Sequence, residues 1–507
     1  MPRRNASTST RIERDSMGEM TVPAHVLYGA TTQRAVLNFP VSGRPVPPPV
    51  IHAFALLKKA CAEANGQLRK LDRKRLSLIT RACDEIMEGL AAPKNDSASA
   101  DRQATVDSRW SADDMMAHFP IDIYQTGSGT STNMNVNEVI SNLACGYVGK
   151  PIGARDPVHP NDHVNMGQSS NDTFPTAMQV AAAVAIRTSL IPALRGLAKS
   201  LHRKARAWDR IVKIGRTHLM DATPLRLGQE FSGFAAQADY AVLRAERAMM
   251  RLAENLPIGG TAVGTGINTH PRFGRLVAAR LARATGVPFR EAANHFEAQA
   301  TRDCVVEASG ELRTIAVSLS KIANDIRLLG SGPRCGLFEL ALPATQPGSS
   351  IMPGKVNPVI CESVMQVCCA VIGNDAAITA AGLGGVGSLL QLNVAMPVMA
   401  AALTDSITLL SRASEMFVSR CLNDLQVNKA IATGMVEKSL MMCTSLAPEI
   451  GYDAAAKVAK EAFASGQTVR EYVLQHRLIE PKRLDQLLDP WSMTEPSAKG
   501  GAKVEGG

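Results

Sequence analysis

The chain has 507 residues, a net charge of +9, 45% apolar and 20% charged side chains, and only 4% aromatics. That length excludes a single simple core and calls for two to four domains; the scarcity of aromatics leaves Ala, Leu, Val, Ile and 21 Met to fill the interior, which suits close-packed helices. The Lys and Arg are spread along the chain rather than gathered in a stripe, so the positive charge does not read as a nucleic-acid surface, although it would help collect a small dianion.

Residues 2–14 are rich in Ser, Thr and Arg but lack an amphipathic pattern, and read as a flexible start (1–14) that extends to about residue 20. Residues 21–93 mix short extended pieces with helices, and Pro45, Pro47, Pro48 and Pro49 interrupt the chain before a helix at about 50–66. The polar stretch 94–114 has little periodicity and reads as an exposed loop. Long apolar stripes follow at roughly 174–208, 224–256, 302–329, 359–381 and 398–421. In the third, Leu312, Ile315, Leu319, Ile322, Ile326 and Leu329 fall three or four apart, and Gly330 ends the helix. Pro192 is expected to kink the first stripe, and the row Ala235, Ala238 and Ala241 lets a neighbour approach the second closely. Five such lengths without intervening strands predict a mainly all-α protein built around a bundle. After about 422 the pattern shortens into a small helical domain, and the last dozen residues read as a disordered tail.

Ten cysteines occur without a CxxC pair, which points to reduced, mostly buried thiols in the cytoplasm. No apolar run reaches the length of a membrane span, so no membrane partner is expected. The Gly-rich stretch Gly259–Gly266 is not a dinucleotide fingerprint, because no strand precedes it; it reads as a helix-terminating loop.

Dense polar segments interrupt the apolar pattern at four places. Residues 127–138 carry Ser128, Thr130, Ser131, Thr132, Asn133, Asn135 and Asn137, a poor helix interior and a good collar of hydrogen-bond donors. His159-Pro160-Asn161-Asp162-His163 is followed by Gln168-Ser169-Ser170-Asn171-Asp172. The two histidines stand four apart, but Pro160 between them and the lack of an HExxH pattern argue against a metal site. Gly215-Arg216-Thr217-His218 is the third segment, with Glu362 a candidate partner for His218. The fourth, Gly348-Ser349-Ser350-Ile351-Met352-Pro353-Gly354-Lys355-Val356-Asn357-Pro358, aims two hydroxyls, an ammonium and a carboxamide from one loop. Hydroxyls, amides, Lys and His without a thiol nucleophile, metal cage or phosphate loop suit a small polycarboxylate. They also suit proton abstraction next to a carboxylate, whose doubly charged aci-carboxylate product needs fixed donors and a cation.

The 348–358 loop resembles the signature of the fumarase/aspartase superfamily. The resemblance runs over about residues 11–475 and includes Asp15-Ser16-Met17-Gly18, Gly29-Ala30-Thr31-Thr32-Gln33-Arg34, the 127–138 run, His159–Asp162, Ser169–Asp172 and Gly215–His218. Gly354, the Gly259–Gly266 stretch with Asn268-Thr269-His270, and Phe296-Glu297-Ala298 are most similar to class II fumarase, the metal-free type. Ser131-Thr132, and Leu390-Gln391-Leu392-Asn393-Val394 without the usual Phe-Glu, pull toward aspartase.

The resemblance implies reversible hydration of fumarate to L-malate without a metal or organic cofactor, the alternative being aspartate ammonia-lyase. A non-catalytic use of the scaffold, as in lens crystallins, runs against the presence of all the reactive residues. The resemblance makes Ser349 the base at C3, and His218 with Glu362 the acid/base that positions water at C2. Ser128, Gly129, Thr130, Ser169, Ser170, Asn171, Thr217, Ser350, Lys355, Val356 and Asn357 become substrate contacts, with Asn133 in support. His159, Pro160, Asn161 and Asp162 resemble a secondary anion site, although the arginine that usually precedes it by three residues is Asp156 here, with Arg155 one earlier. The implied architecture is three helical domains, 1–168, 169–421 with the five-helix bundle, and 422–507. Four chains would form a homotetramer in which three contribute to each site.

Overall fold

A computed structural model describes residues 9–91 and 110–496. Most of the 94–114 stretch, the first eight residues and the tail after 496 lie outside the described residues.

The chain opens with an antiparallel hairpin, β1 (Thr10–Asp15) and β2 (Gly18–Pro23), paired Thr10 to Pro23 through Asp15 to Gly18. The expectation of a flexible start is therefore corrected for residues 10–20. Arg11 holds the hairpin down: its guanidinium pairs with Glu13 at 2.6 Å and donates to the carbonyls of Pro23, Val26 and Tyr28. Four helices follow, α1 (Ala30–Asn38), α2 (Pro48–Gln67), α3 (Arg73–Leu90) and α4 (Ala112–Met116). Pro48 and Pro49 occupy the first turn of α2, where a missing N–H costs nothing. The short α4 corrects the end of the expected loop: Ser111 caps it by accepting from the Asp114 N–H at 3.2 Å.

Helix α5 (Thr130–Tyr147) runs through the polar 127–138 segment, and this too differs from expectation. The helix is allowed because distant groups satisfy its polar side chains. Asn135 donates to the His118 carbonyl, Thr132 to Gln125, and Asn142 to the Leu27 carbonyl. Glu138 accepts from the N–H groups of Gly29, Thr31 and Thr32 and from the Thr32 hydroxyl, thereby capping α1.

The first long stripe is one continuous helical run of 38 residues, Ser170–Ala207. It comprises α6 (Ser170–Ala185), a π-helical turn at Ile186–Leu190, and α7 (Ile191–Ala207). The irregular turn leads directly into α7, whose second residue, Pro192, has no N–H to continue the regular ladder. The hairpin β3 (Val212–Thr217) and β4 (Met220–Arg226) leads into α8 (Leu227–Ala253). Then come α9 (Phe273–Thr285), α10 (His295–Ala300), α11 (Asp303–Leu329), the short strand β5 (Leu340–Ala341) and α12 (Val359–Gly382). A small hairpin, β6 (Ser388–Leu389) and β7 (Leu392–Asn393), precedes α13 (Met396–Phe417). Strand β8 (Gln426–Val427) pairs with β5. The chain then folds into α14 (Lys429–Gly434), α15 (Ala447–Ile450), α16 (Tyr452–Ser465), α17 (Val469–Gln475) and α18 (Pro481–Leu487). The five long stripes are thus helices, and the stripe residues of α11 from Leu312 to Ile326 are all buried.

Contacts gather the chain into two units. One holds the described residues up to 192 with 243–316 and 369–410; the other holds 193–242, 317–368 and the described residues from 411. The division at 168 and 421 read from the sequence follows chain order instead. In the first unit α2 packs on α6, where Phe54 meets Phe174 edge-on with centroids 5.6 Å apart. In the second, the C-terminal helices close a separate core of Val436, Leu446, Val458, Ala462, Val473 and Leu484. Two helices, Ser170–Ala207 and Val359–Gly382, are long and apolar enough to cross a membrane, which corrects the expectation that no run reaches that length. Scattered Thr, Ser and Asn break the uninterrupted runs without lowering the average enough. Of the most apolar part of each, 67% of the first is buried, as in a core helix, but only 33% of the second.

Candidate active site

In the first unit the sequence-predicted contacts converge on two helix starts. Gly129 precedes α5 with φ at +72°, and a methyl group there would lie 1.9 Å from the Phe174 ring, so only glycine fits. Ser169 caps α6 in a reciprocal box with Asp172. Hydroxyls link the two starts: Ser128 Oγ lies 2.8 Å from Thr130 Oγ1, which lies 2.6 Å from Ser170 Oγ. Asn171 donates to the Ala262 carbonyl at 2.7 Å and so ties the Gly-rich loop to the same place. Two N-terminal ends, each with the positive end of its helix dipole and a row of hydroxyls, make a cradle for a carboxylate.

Asp172 is fully buried and accepts from the N–H groups of Ser169, Gly259 and Thr261. Burial pushes its pKa up to about 6, against those hydrogen bonds. Behind the cradle lies Lys58, also buried, whose ammonium donates to Asn133, Asn165 and Gln168. Its pKa is pushed down to about 8 by burial. Sequence reasoning missed it. The available signal was a charged residue on the same helical face as Phe54, Leu57 and Cys61.

The His159–Asp162 segment opens a π-helical turn, Pro160–Val164. His159 Nδ1 accepts from the N–H groups of Asn161 and Asp162, and His163 Nδ1 accepts from the His159 N–H at 2.8 Å. The Nδ1 atoms of both imidazoles are thus engaged within their own turn. Among the described residues no three His, Cys, Asp or Glu side chains gather as metal ligands. Arg155 reaches back to the Arg14 carbonyl.

In the second unit Thr217 and His218 stand at the exposed tip of the β3–β4 hairpin. The two-residue turn His218-Leu219 has φ of 56° and 62°, a left-handed pair that twists correctly for a hairpin but strains non-glycine residues. Beneath the tip lies a buried ionic cluster absent from the sequence reading. Glu339, with no exposed surface, pairs with Lys213 at 2.9 Å and Arg216 at 2.7 Å, and Lys213 also pairs with Glu230 at 3.0 Å. Glu339 stands just before β5, on the segment that leads to the 348–358 loop.

That loop is irregular, as its glycines and prolines require. Gly348 is pinned by an N–H bond to the Lys355 carbonyl at 2.8 Å, and a Cβ there would lie 2.5 Å from that oxygen. Asn357 donates to the Gly348 carbonyl at 2.6 Å and accepts from the Lys355 ammonium at 2.7 Å. Ser349 Oγ accepts from the N–H groups of Ile351 and Met352, at 3.2 and 3.0 Å. Two donors aimed at one hydroxyl oxygen stabilise its deprotonated form. A groove of about 410 Å³ borders the loop at Gln346, Ser349, Met352 and Lys355. Ser350 and Val356 are exposed, and no hydrogen bond or ion pair among the described residues joins His218 to Glu362, which is half-buried near the start of α12.

The comparisons meet this geometry. Residues 18–373 match the Lyase family profile, and residues 442–495 match the fumarase C C-terminus. The chain belongs to the class II fumarase family. It is 48% identical over 97% of its length to "Fumarate hydratase class II 2" of Bradyrhizobium diazoefficiens, covering 98% of that protein. It is 51% identical over 94% of its length to the class II fumarate hydratase of Corynebacterium glutamicum, covering 93% of it. Among solved structures, a class II fumarase from Schistosoma mansoni superposes with a TM-score of 0.89 at 37% identity, over 96% of this chain and all of the other. The fold of this fumarase-family chain is the mainly helical one of those enzymes.

Proposed function

We propose that this chain catalyses the reversible hydration of fumarate to L-malate and that its residues divide the work as follows. Ser349, as an alkoxide, takes the proton from C3 of malate. The electron pair passes into the adjacent carboxylate as an aci-carboxylate, which Lys355, Asn357 and loop N–H groups stabilise. The C2–O bond then breaks, its hydroxide leaving as water with a proton delivered through His218, which Glu362 supports. Ser128, Gly129, Thr130, Ser169, Ser170, Asn171, Thr217, Ser350 and Val356 hold the carboxylates and hydroxyl. The observation that carries the reading is the pair of N–H donors on Ser349 Oγ beside the Lys355–Asn357 bond. These are the features an anionic base and an anionic intermediate need together. The His159–Asp162 turn is assigned as a second anion contact on the resemblance alone.

The proposal includes a homotetramer. Helix α12 is apolar around its circumference, yet only the seam Cys361, Val364, Cys368, Val371, Asp375, Ile378 and Ala381 is buried. Exposed beside it are Cys369, Ile372 and several alanines, a face that asks for cover by another helix. The ten free thiols support a reducing compartment, the cytoplasm.

Aspartase chemistry remains the second reading because of the 390–394 segment, where Leu390, 78% exposed, stands at the tip of the β6–β7 turn. The hydroxyls of Ser131 and Thr132, the other aspartase-like feature, bond to Thr126 and Gln125. Absorbance of fumarate, followed with malate and with aspartate as substrate, decides. Activity on aspartate and none on malate would overturn the hydratase reading.

A further inference from the structure

Lys58 sits in the middle of α2 with no exposed surface. Its three ammonium protons go to three neutral amide oxygens, Asn133 Oδ1 at 2.7 Å, Asn165 Oδ1 at 2.9 Å and Gln168 Oε1 at 2.9 Å. Among the described residues no carboxylate touches it. Asp172 acts on it through space, but the oxygens of Asp172 are taken by backbone N–H groups. Asn133 lies in the first turn of α5 and also accepts from the Thr173 hydroxyl of α6 at 3.1 Å. Gln168 immediately precedes the cap of α6. One buried cation therefore ties together the two helix starts that form the cradle. A tie between amides does not require a charge, and burying an ammonium without a contacting counter-ion is costly. Such a cost is understandable where an anion is to be bound.

We propose that Lys58 is a positioning residue of the hydratase: through Asn133 and Gln168 it fixes the starts of α5 and α6, and its buried positive charge favours the bound dianion and, more strongly, the trianionic intermediate. This rests on the reading of Ser128, Thr130, Ser170 and Asn171 as the substrate cradle. The charge is switchable. Burial lowers the Lys58 pKa to about 8, opposed by Cys61 on its own helix, Asp172 on α6 and Cys83 on α3. The α5 and 165–168 contacts are amides, and Arg280 of α9 is engaged with Gln67 and Glu63. Above that pH the ammonium loses both its charge and one of its three donors, so kcat/KM falls as pH rises through about 8.

The test is the pH dependence of fumarate hydration by wild type, Lys58→Met, Lys58→Arg and Asn171→Ala, with thermal melts as a folding control. The expected result for Lys58→Met is a loss of about 10- to 100-fold in kcat/KM, shared between a raised KM and a lowered kcat with the larger part in kcat, and no alkaline limb near pH 8. Lys58→Arg, which cannot deprotonate in this range, recovers part of the loss and moves the limb upward. Wild-type kcat/KM in Lys58→Met, with the limb in place, overturns the proposal. Should Lys58→Met fail to fold, the limb in Lys58→Arg decides alone: persistence at the wild-type pH overturns the proposal and an upward shift supports it. Asn171→Ala separates the two readings. Wild-type kinetics there would sink the cradle itself, whereas impaired Asn171→Ala beside unaffected Lys58 variants would sink only the role of Lys58.

Discussion

Single residues carry three expectations. Ser349→Ala should lower kcat by about 10²- to 10⁴-fold, the usual worth of a positioned base, with the melting temperature unchanged, because its Oγ contacts lie within an exposed loop. Unaltered turnover would remove Ser349 from the reaction. Gly129→Ala should cost at least about 2 kcal/mol, since it combines a left-handed backbone with overlap on Phe174; a denaturant midpoint equal to wild type would contradict the geometry. His118 gives a pH dependence. Its Nδ1 accepts from the Leu27 N–H at 3.2 Å, which requires the neutral ring, and burial lowers its pKa to about 4. Above the ordinary value both folded and unfolded states are neutral there. As pH falls from about 6.5 to 4 only the unfolded chain takes up the proton, so stability is lost across that window, by up to about 2 kcal/mol after allowance for nearby solvent. Comparison of urea midpoints for wild type and His118→Asn over that range measures it; parallel curves would refute the assignment.

At the scale of elements, the long helices were legible because each buries one stripe. A helix with one covered face writes a three-four spacing into its sequence, as Leu312 to Ile326 do in α11. Helix α5 was not legible for the converse reason. Its interior holds Asn133, Asn135, Asn137 and Glu138, whose partners come from distant segments that no local pattern announces. The hairpin at residues 10–23 was hidden in the same way, since Arg11 looks like a surface charge until the carbonyls of Val26 and Tyr28 surround it. Glu138 offers the test of this logic. Glu138→Ala leaves three N–H groups around the start of α1 without their acceptor and should cost about 3 kcal/mol. A loss under about 0.5 kcal/mol, typical of a surface change, would show that the cap is replaceable.

At the scale of the whole molecule, the proposed site residues fall into two groups. The hydroxyl cradle of Ser128, Thr130 and Ser170 belongs to one unit, and the Ser349 loop and His218 hairpin belong to the other. In the proposed tetramer the exposed face of α12 is the surface that another chain covers. Two outcomes follow from a tetramer. Ile372→Glu, on that face and 42% exposed in the single chain, should shift the mass in light scattering from about four chains toward one or two and abolish turnover together with it. Refolding a mixture of the inactive Ser349→Ala and His218→Asn chains should restore part of the activity, because some mixed sites then draw an intact Ser349 from a His218→Asn chain and an intact His218 from a Ser349→Ala chain. No recovery in verified mixed tetramers would place both residues in the same chain's contribution.

Much of this was settled by composition and order along the chain. A mainly helical protein, five long helices, an irregular loop at 348–358 and membership of the fumarase family all follow from local pattern, because periodicity, glycine and proline act on near neighbours. The long-range polar contacts were decided only by folding: Lys58 under the cradle, Glu339 under the His218 hairpin and Glu138 over the start of α1. A charge or amide reads as solvent-facing from sequence, and only three-dimensional packing shows that its partners lie a hundred residues away and that water has been excluded between them.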